Sequence, residues 1–376
     1  MALSVALRWP FFDTVLTVDE SAVAYVAYWW QLGHVLYDTI WVDRPQGIFI
    51  AYAAGMKLLG DSPEAIRLFG ALYGSLTNIF VYLIAARIFG PRLGLAAALV
   101  HALLSTHPRI EGFNPNTELY MVLPSTVSAY LVLRSFPPDR PHRSGLRQTL
   151  LLVATGAAAA AAAMMKQSGV MALLFAAICV TYAHWPATSW GAARRALFGW
   201  TALATGFSLV FVPSLIHGLL TAPVDYLDAV FHFRWVGASL WAYPIGYQAL
   251  QFFLSFIVVL PALAVFFAGA AWGAILGSRN RFLWTWLMIS LAGVSISGDY
   301  FAHYYIHAAP PLAILFADGI RRLWERRRLA PFPLVTKLMA GLAGLSLGYM
   351  LFTYLPSSPE ERLWRASPEP RYLLSR

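Results

Sequence analysis

Residues 18–38 read VDESAVAYVAYWWQLGHVLYD, and their reading sets that of the whole chain. Asp19 and Glu20 are adjacent carboxylates beside a series of apolar runs. Acids at a membrane boundary are costly and are functional-site candidates by default. Tyr25, Tyr28, Trp29 and Trp30 follow at near-helical spacing. That is the pattern of a helix lying in the interface with its rings at headgroup depth. Read locally, Asp19 and Glu20 are also what a helix N-terminus favours. A cap alone does not account for a connection running over residues 19–66, because loops of that length usually carry function.

Hydrophobic residues fill 59% of the 376 positions and charged residues 12%, against about 25% charged in an ordinary soluble domain. Apolar runs of about 20 residues recur, each long enough to cross a bilayer as a helix. The expected fold is an all-α polytopic membrane protein of about ten or eleven transmembrane helices. Amphipathic interfacial helices are expected in a first extracytoplasmic loop over residues 19–66. Residues 1–355 read as a single transmembrane domain and residues 356–376 as a short polar tail. Residues 1–18 are apolar but short, and Arg8 and Pro10 interrupt them; no cleavable signal peptide is evident. The lone Cys179 excludes an intrachain disulfide. The run ATGAAAAAAAMMK over 154–166 reads as a closely packed buried span, since small residues let helices approach.

The net charge of +9 reports topology rather than a nucleic-acid partner. Arg134, Arg140, Arg143 and Arg147 cluster in one short segment, Arg194 and Arg195 in another, and Arg321, Arg322, Arg326, Arg327 and Arg328 in a third. Such segments stay cytoplasmic. Asp13, Asp19, Glu20, Asp43, Glu111, Glu118 and Asp299 all fall on the opposite side in this zigzag, so the extracytoplasmic face reads as the working face.

Three further stretches carry chemistry. In EGFNPNTELY, Glu118 stands at the start of a span just past a Pro-Asn turn. It is either a helix-capping acid, with Asn116 or Thr117 as the cap, or a second carboxylate delivered for acid–base or ligand-positioning work. In GDYFAHYYIHAAPPLAIL, His303, Tyr304, Tyr305 and His307 cluster at the mouth of a span. An i, i+4 histidine pair has zinc-ligand spacing, but the glutamate and flanks of HExxH are missing. An aromatic belt, or phosphate and sugar recognition, also fits these residues. Lys166 closes an apolar span on the acid-rich face, either snorkelling to the interface or serving as a point charge for a lipid phosphate. Arg44 and Arg67 are candidates of the same kind, or ion-pair partners for the nearby acids. The sequence demands no metal and leaves the cofactor unknown, with a divalent ion compatible.

Taken together, these stretches resemble the C-type glycosyltransferase superfamily, in the branch of the protein O-mannosyltransferases and the aminoarabinose transferases. The matching segments are DESAVAYVAYWWQLGHVLYDTIWVDRPQGIFIAYAAGMKLLGDSPEAIRLFGALYG, RIFGPRLGLAAALV, GFNPNTELYMVLPS, the Lys-Gln of MMKQSG and HYYIHAAPPLAILFADGI. The resemblance implies a membrane glycosyltransferase of the bacterial plasma membrane. It would move a sugar from a polyprenyl-phosphate donor to an acceptor on the extracytoplasmic face, with inversion. It implies Asp19 as catalytic base, Glu20 beside it, and Glu118 as the second acid of the pocket. It assigns Lys166, Arg67, His303 and Tyr304 to binding of the donor phosphate, and Arg44 stands beside them as a substrate-binding candidate from its place in the first loop. Family members begin with a full span before the acidic pair and many run longer than this chain, so a truncated or reduced member is also expected to fit. A non-catalytic subunit of a larger membrane complex is the alternative. A lipid-sugar flippase ranks last, because the charges crowd one face.

Overall fold

The computed structural model describes residues 1–136, 145–184, 190–233, 244–296, 298–327, 332–355 and 358–366. A short helix α1 (Ala2–Arg8) and a 3-10 turn (Trp9–Phe11) lead to α2 (Val18–Gln31). The start of α2 is a capping box: Thr17 Oγ1 accepts from the Glu20 amide, and the Glu20 carboxylate accepts from the Thr17 amide at 2.6 Å. Two of the orphan amide donors of a helix start are thereby satisfied. Helix α3 (Gln46–Leu59) stops at Gly60, whose φ of +98° suits glycine. Ser62 then caps α4 (Pro63–Ser75), with proline in the first turn where no amide is needed.

Helices α5 (Thr77–Phe89), α6 (Pro91–Leu104), α7 (Thr117–Ser135), α8 (Leu146–Met165), α9 (Met171–Ala183) and α10 (Trp190–Thr221) follow. Beyond them come α11 (Pro223–Leu227), α12 (Ile245–Ile275), α13 (Arg281–Ser295), α14 (Ala309–Glu325), α15 (Phe332–Tyr354) and α16 (Pro359–Ala366). No strand occurs among the described residues, where the extended pairing is a single Leu36–Ile40 bridge.

Among the described residues, five stretches are long and apolar enough to cross a membrane: Pro63–Phe89, Leu146–Met165, Trp190–Thr221, Ile245–Ile275 and Pro333–Tyr354. Three shorter apolar helices accompany them. The all-α polytopic membrane fold is as the sequence led one to expect. Others among its apolar runs, such as α7 and α14, do not qualify on length and apolarity alone. Helix α7 buries Glu118, Ser125, Thr126 and Ser128, and α14 is 17 residues long and ends in a charged turn.

In a bilayer the lipid tails are as apolar as leucine, so helices associate through close packing of small residues. The alanine run of α8 does this against α10. A Cβ added at Gly206 would lie 1.8 Å from the Val153 carbonyl oxygen, and one at Gly156 would lie 2.0 Å from that of Leu203. Ala159, Ala160 and Ala162 are buried beside them.

Part of the C-terminal segment packs back on the start of the chain. Leu363 and Ala366 of α16 are buried with Phe11 and Phe113, and Arg362 pairs with Asp13 at 2.8 Å. The basic positions Arg140, Arg143 and Arg328, and tail residues 367–376, lie outside the described residues.

Candidate active site

The capping box divides the acidic pair. Successive helical residues point about 100° apart, the consequence of 3.6 residues per turn. Glu20 turns inward, and Asp19 turns toward an open cavity of about 780 Å³. Glu20 is fully buried and takes Arg67 as a bidentate partner, with Nε to Oε1 at 2.9 Å and Nη2 to Oε2 at 2.8 Å. The Arg67 guanidinium also donates to the carbonyls of Thr14 at 2.8 Å and Val15 at 2.7 Å, and to that of Phe11. Both groups are spent on fixing the segment that precedes α2. Asn114 Nδ2, donating to Thr17 Oγ1 at 2.9 Å, ties the same cap to the turn before α7.

That turn delivers two more carboxylates. Asn116 caps α7, accepting from the Leu119 amide at 3.0 Å. Glu118 is therefore free of capping work and lies buried, accepting from Thr117 Oγ1 at 2.9 Å and from Lys166 Nζ. Lys166 sits in the extended residue after α8. Its ammonium lies 3.5 Å from the centre of the Tyr304 ring, a cation–π contact. Glu111 is held in the left-handed region, at φ 52° and ψ 33°, by the turn that ends at Ile110.

His303 gathers these acids. It lies in a 3-10 turn (Ala302–Ala308) ahead of α14 and outside the spanning stretches. Its Nδ1 is 3.0 Å from Glu111 Oε2, and its Nε2 is 3.8 Å from both Asp19 Oδ2 and Glu118 Oε2. Burial favours the neutral ring, but the carboxylates of Glu118, Glu111 and Asp19 outweigh it and hold the pKa up at about 9. His303 is then a cation at neutral pH, with both ring nitrogens donating. The 3-10 winding also separates it from His307, which lines a small hollow with Glu118, Lys166 and Ser168. No group of three or more metal-type ligands suited to an ion occurs among the described residues.

Arg44 lines the large cavity and pairs with Asp43 at 2.8 Å. The strap that carries both is fixed from two sides. Tyr37 Oη donates to the Arg44 carbonyl at 2.9 Å, and Gln167 Nε2 donates to the Asp43 carbonyl at 2.8 Å. Burial first, and the neighbouring Tyr226 second, push the Tyr37 phenol pKa well above its usual value, which keeps it a donor. Tyr304 lines both the large cavity and the small hollow, so its ring stands between Asp19's cavity and the Lys166–Glu118 pair.

The structure thus brings Asp19, Glu118, Lys166, His303 and Tyr304 together, with Arg44 on the same cavity. Glu20 and Arg67 form a separate buried pair behind them. Glu111, in the sequence one acid among several of one face, joins this cluster through His303. The Gly112 after it was a signal, since a Cβ there would lie 2.3 Å from the Ser105 carbonyl oxygen.

A profile of the dolichyl-phosphate-mannose-protein mannosyltransferase family matches residues 43–217. The chain is 26% identical over 316 residues to an undecaprenyl phosphate-α-4-amino-4-deoxy-L-arabinose arabinosyl transferase of Pseudomonas fluorescens, covering 81% of this chain and 54% of that one. It therefore spans about half the length of that curated relative. Among solved structures, ArnT from Cupriavidus metallidurans bound to undecaprenyl phosphate superposes with a TM-score of 0.61 at 18% identity, over 99% of this chain and 74% of that one. The Archaeoglobus fulgidus oligosaccharyltransferase tethered to an acceptor peptide gives 0.55 at 14% identity, over 97% and 54%. The chain has the fold of the C-type glycosyltransferase superfamily. Within it, the resemblance is to the aminoarabinose-transferase-like branch.

Proposed function

We propose that this integral membrane protein is a glycosyltransferase that uses a polyprenyl-phosphate-linked sugar as donor. One observation carries the reading. Of the three carboxylates grouped around His303, Glu118 holds Lys166 and Glu111 holds His303 at hydrogen-bond distance. Asp19 keeps a half-exposed side chain on the cavity, 3.8 Å from its imidazole partner. The cluster thus retains one carboxylate open to a substrate. In this reading Asp19 acts as general base on an acceptor hydroxyl.

In the reaction proposed, the acceptor O–H proton passes to Asp19 as the acceptor oxygen attacks the anomeric carbon. The bond from that carbon to the donor phosphate breaks, and its electron pair leaves on the phosphate. Attack opposite the leaving group gives inversion. Lys166 serves as a cation that binds the donor phosphate, and His303 supplies positive charge as that phosphate departs, with Arg44 at the cavity wall. Glu20 and Arg67 hold the cap that aims Asp19. The bacterial plasma membrane, with the site on its extracytoplasmic side, is the proposed location. A non-catalytic subunit of a larger membrane complex is the second reading, favoured by the closed Lys166–Glu118 pair beneath Tyr304.

Turnover of a polyprenyl-phosphate sugar by the purified full chain in lipid nanodiscs tests the proposal. Asp19→Asn is expected to lower the rate about 10²–10⁴-fold, the usual loss of a general base, with folding and donor binding kept. Full activity in Asp19→Asn removes Asp19 as the base. No turnover by the wild-type chain favours the subunit reading.

A further inference from the structure

We propose that Glu111 is a positioning residue of this site, fixing the His303 ring so that its Nε2–H is directed into the gap between Asp19 and Glu118. The inference rests on the glycosyltransferase reading for its catalytic consequence, but not for its geometry. Glu111 Oε2 accepts from His303 Nδ1 at 3.0 Å across 192 residues of sequence, and both side chains are buried. One ring nitrogen so occupied leaves the other to face Asp19 and Glu118, at 3.8 Å from each.

The backbone is committed to this arrangement. A glutamate in the left-handed region is uncommon, and such strain persists where the surroundings over-determine it. Here Arg8 over-determines it. Its guanidinium is buried and donates to the carbonyls of Gly112 at 2.7 Å and Ser105 at 3.0 Å, clamping the turn that carries Glu111. The Asn114 amide closes the turn onto the Glu111 carbonyl at 3.0 Å.

The consequence is electrostatic. Two carboxylates near one another disfavour joint ionisation, and one of them takes up a proton. The charged groups around the ring are Asp19 from α2, Glu111 from the turn, Glu118 from α7 and, across the Tyr304 ring, Lys166. An imidazolium held between Asp19 and Glu118 offsets that repulsion, and a base on an acceptor hydroxyl needs its negative charge. Removing the Glu111 charge lowers the pH at which His303 gives up its proton. The activity then falls at a lower pH on the alkaline side.

Two measurements on the full chain test this. Histidine ¹⁵N NMR of wild type, with His303→Gln identifying the resonance, is expected to show both ring nitrogens protonated at neutral pH. Glu111→Gln is expected to move that titration to lower pH, and Glu111→Asp to restore part of it. In turnover, Glu111→Gln should lower kcat by on the order of 10–100-fold, by analogy with the loss on removing a carboxylate that orients a metal-bound histidine. Donor KM should change less, and Glu111→Gln with His303→Gln should cost no more than His303→Gln alone. A neutral His303 in the wild type, or a titration unmoved in Glu111→Gln, overturns the inference, and the first needs no variant to fold. An NMR titration as expected with no turnover by wild type upholds the Glu111–His303 geometry and rejects the glycosyltransferase reading alone.

Discussion

Arg67 and Glu20 form a fully buried, bidentate ion pair across 47 residues of sequence, with nitrogen–oxygen distances of 2.8 and 2.9 Å. The pair ties α4 to the start of α2. Removing one partner of a buried pair strands a charge and costs about 3–5 kcal/mol. Arg67→Ala and Glu20→Ala are therefore expected to lower stability by about that amount, read as unfolding in detergent. An Arg67→Ala protein that keeps wild-type stability but loses donor affinity would place Arg67 at the phosphate instead.

Lys166 has a different fate in view. It lies under the Tyr304 ring and against Glu118, beside the residues that face the cavity. A hydrogen bond to a charged group contributes about 1.5–3 kcal/mol. Lys166→Ala should accordingly raise donor KM about ten- to a hundredfold and change kcat less. A fall in kcat with KM unchanged would assign Lys166 to the transition state rather than to donor binding.

The α8–α10 contact predicts a graded packing response. Gly206→Leu drives side-chain atoms into the Val153 carbonyl, whereas Gly344 in α15 has nothing within 4 Å of an added Cβ. Overpacking costs about 1–3 kcal/mol or more. Gly206→Leu should lower the melting temperature clearly, and Gly344→Ala should leave the unfolding free energy within about 0.5 kcal/mol of wild type. Equal effects at the two positions would argue against the close α8–α10 approach.

Charge asymmetry predicts sidedness. In a Cys179→Ser background, cysteines placed at Asp19 and at Arg194 or Arg327 should react with impermeant thiol reagents from opposite sides of the membrane. Labelling of Asp19→Cys and Arg194→Cys from one side would overturn the orientation.

Composition and period sufficed for the fold class. Apolar runs, the alanine-rich span, the helices flanking residues 33–45 and the acidic pair at a helix start are local features, and local features are written in consecutive residues. Roles within the site were not. Asp19 and Glu20 are neighbours in sequence, yet one faces a cavity and the other is sealed against Arg67. Arg67 and Lys166 are both cations in apolar surroundings, and only the fold decides which is spent on backbone carbonyls. Glu111 was one acid among many until His303 arrived from 192 residues away. Hydropathy specifies which segments are helices and which faces avoid water. Charge pairing in a low-dielectric interior depends on distances of a few ångströms between segments remote in sequence, and tertiary packing alone sets those.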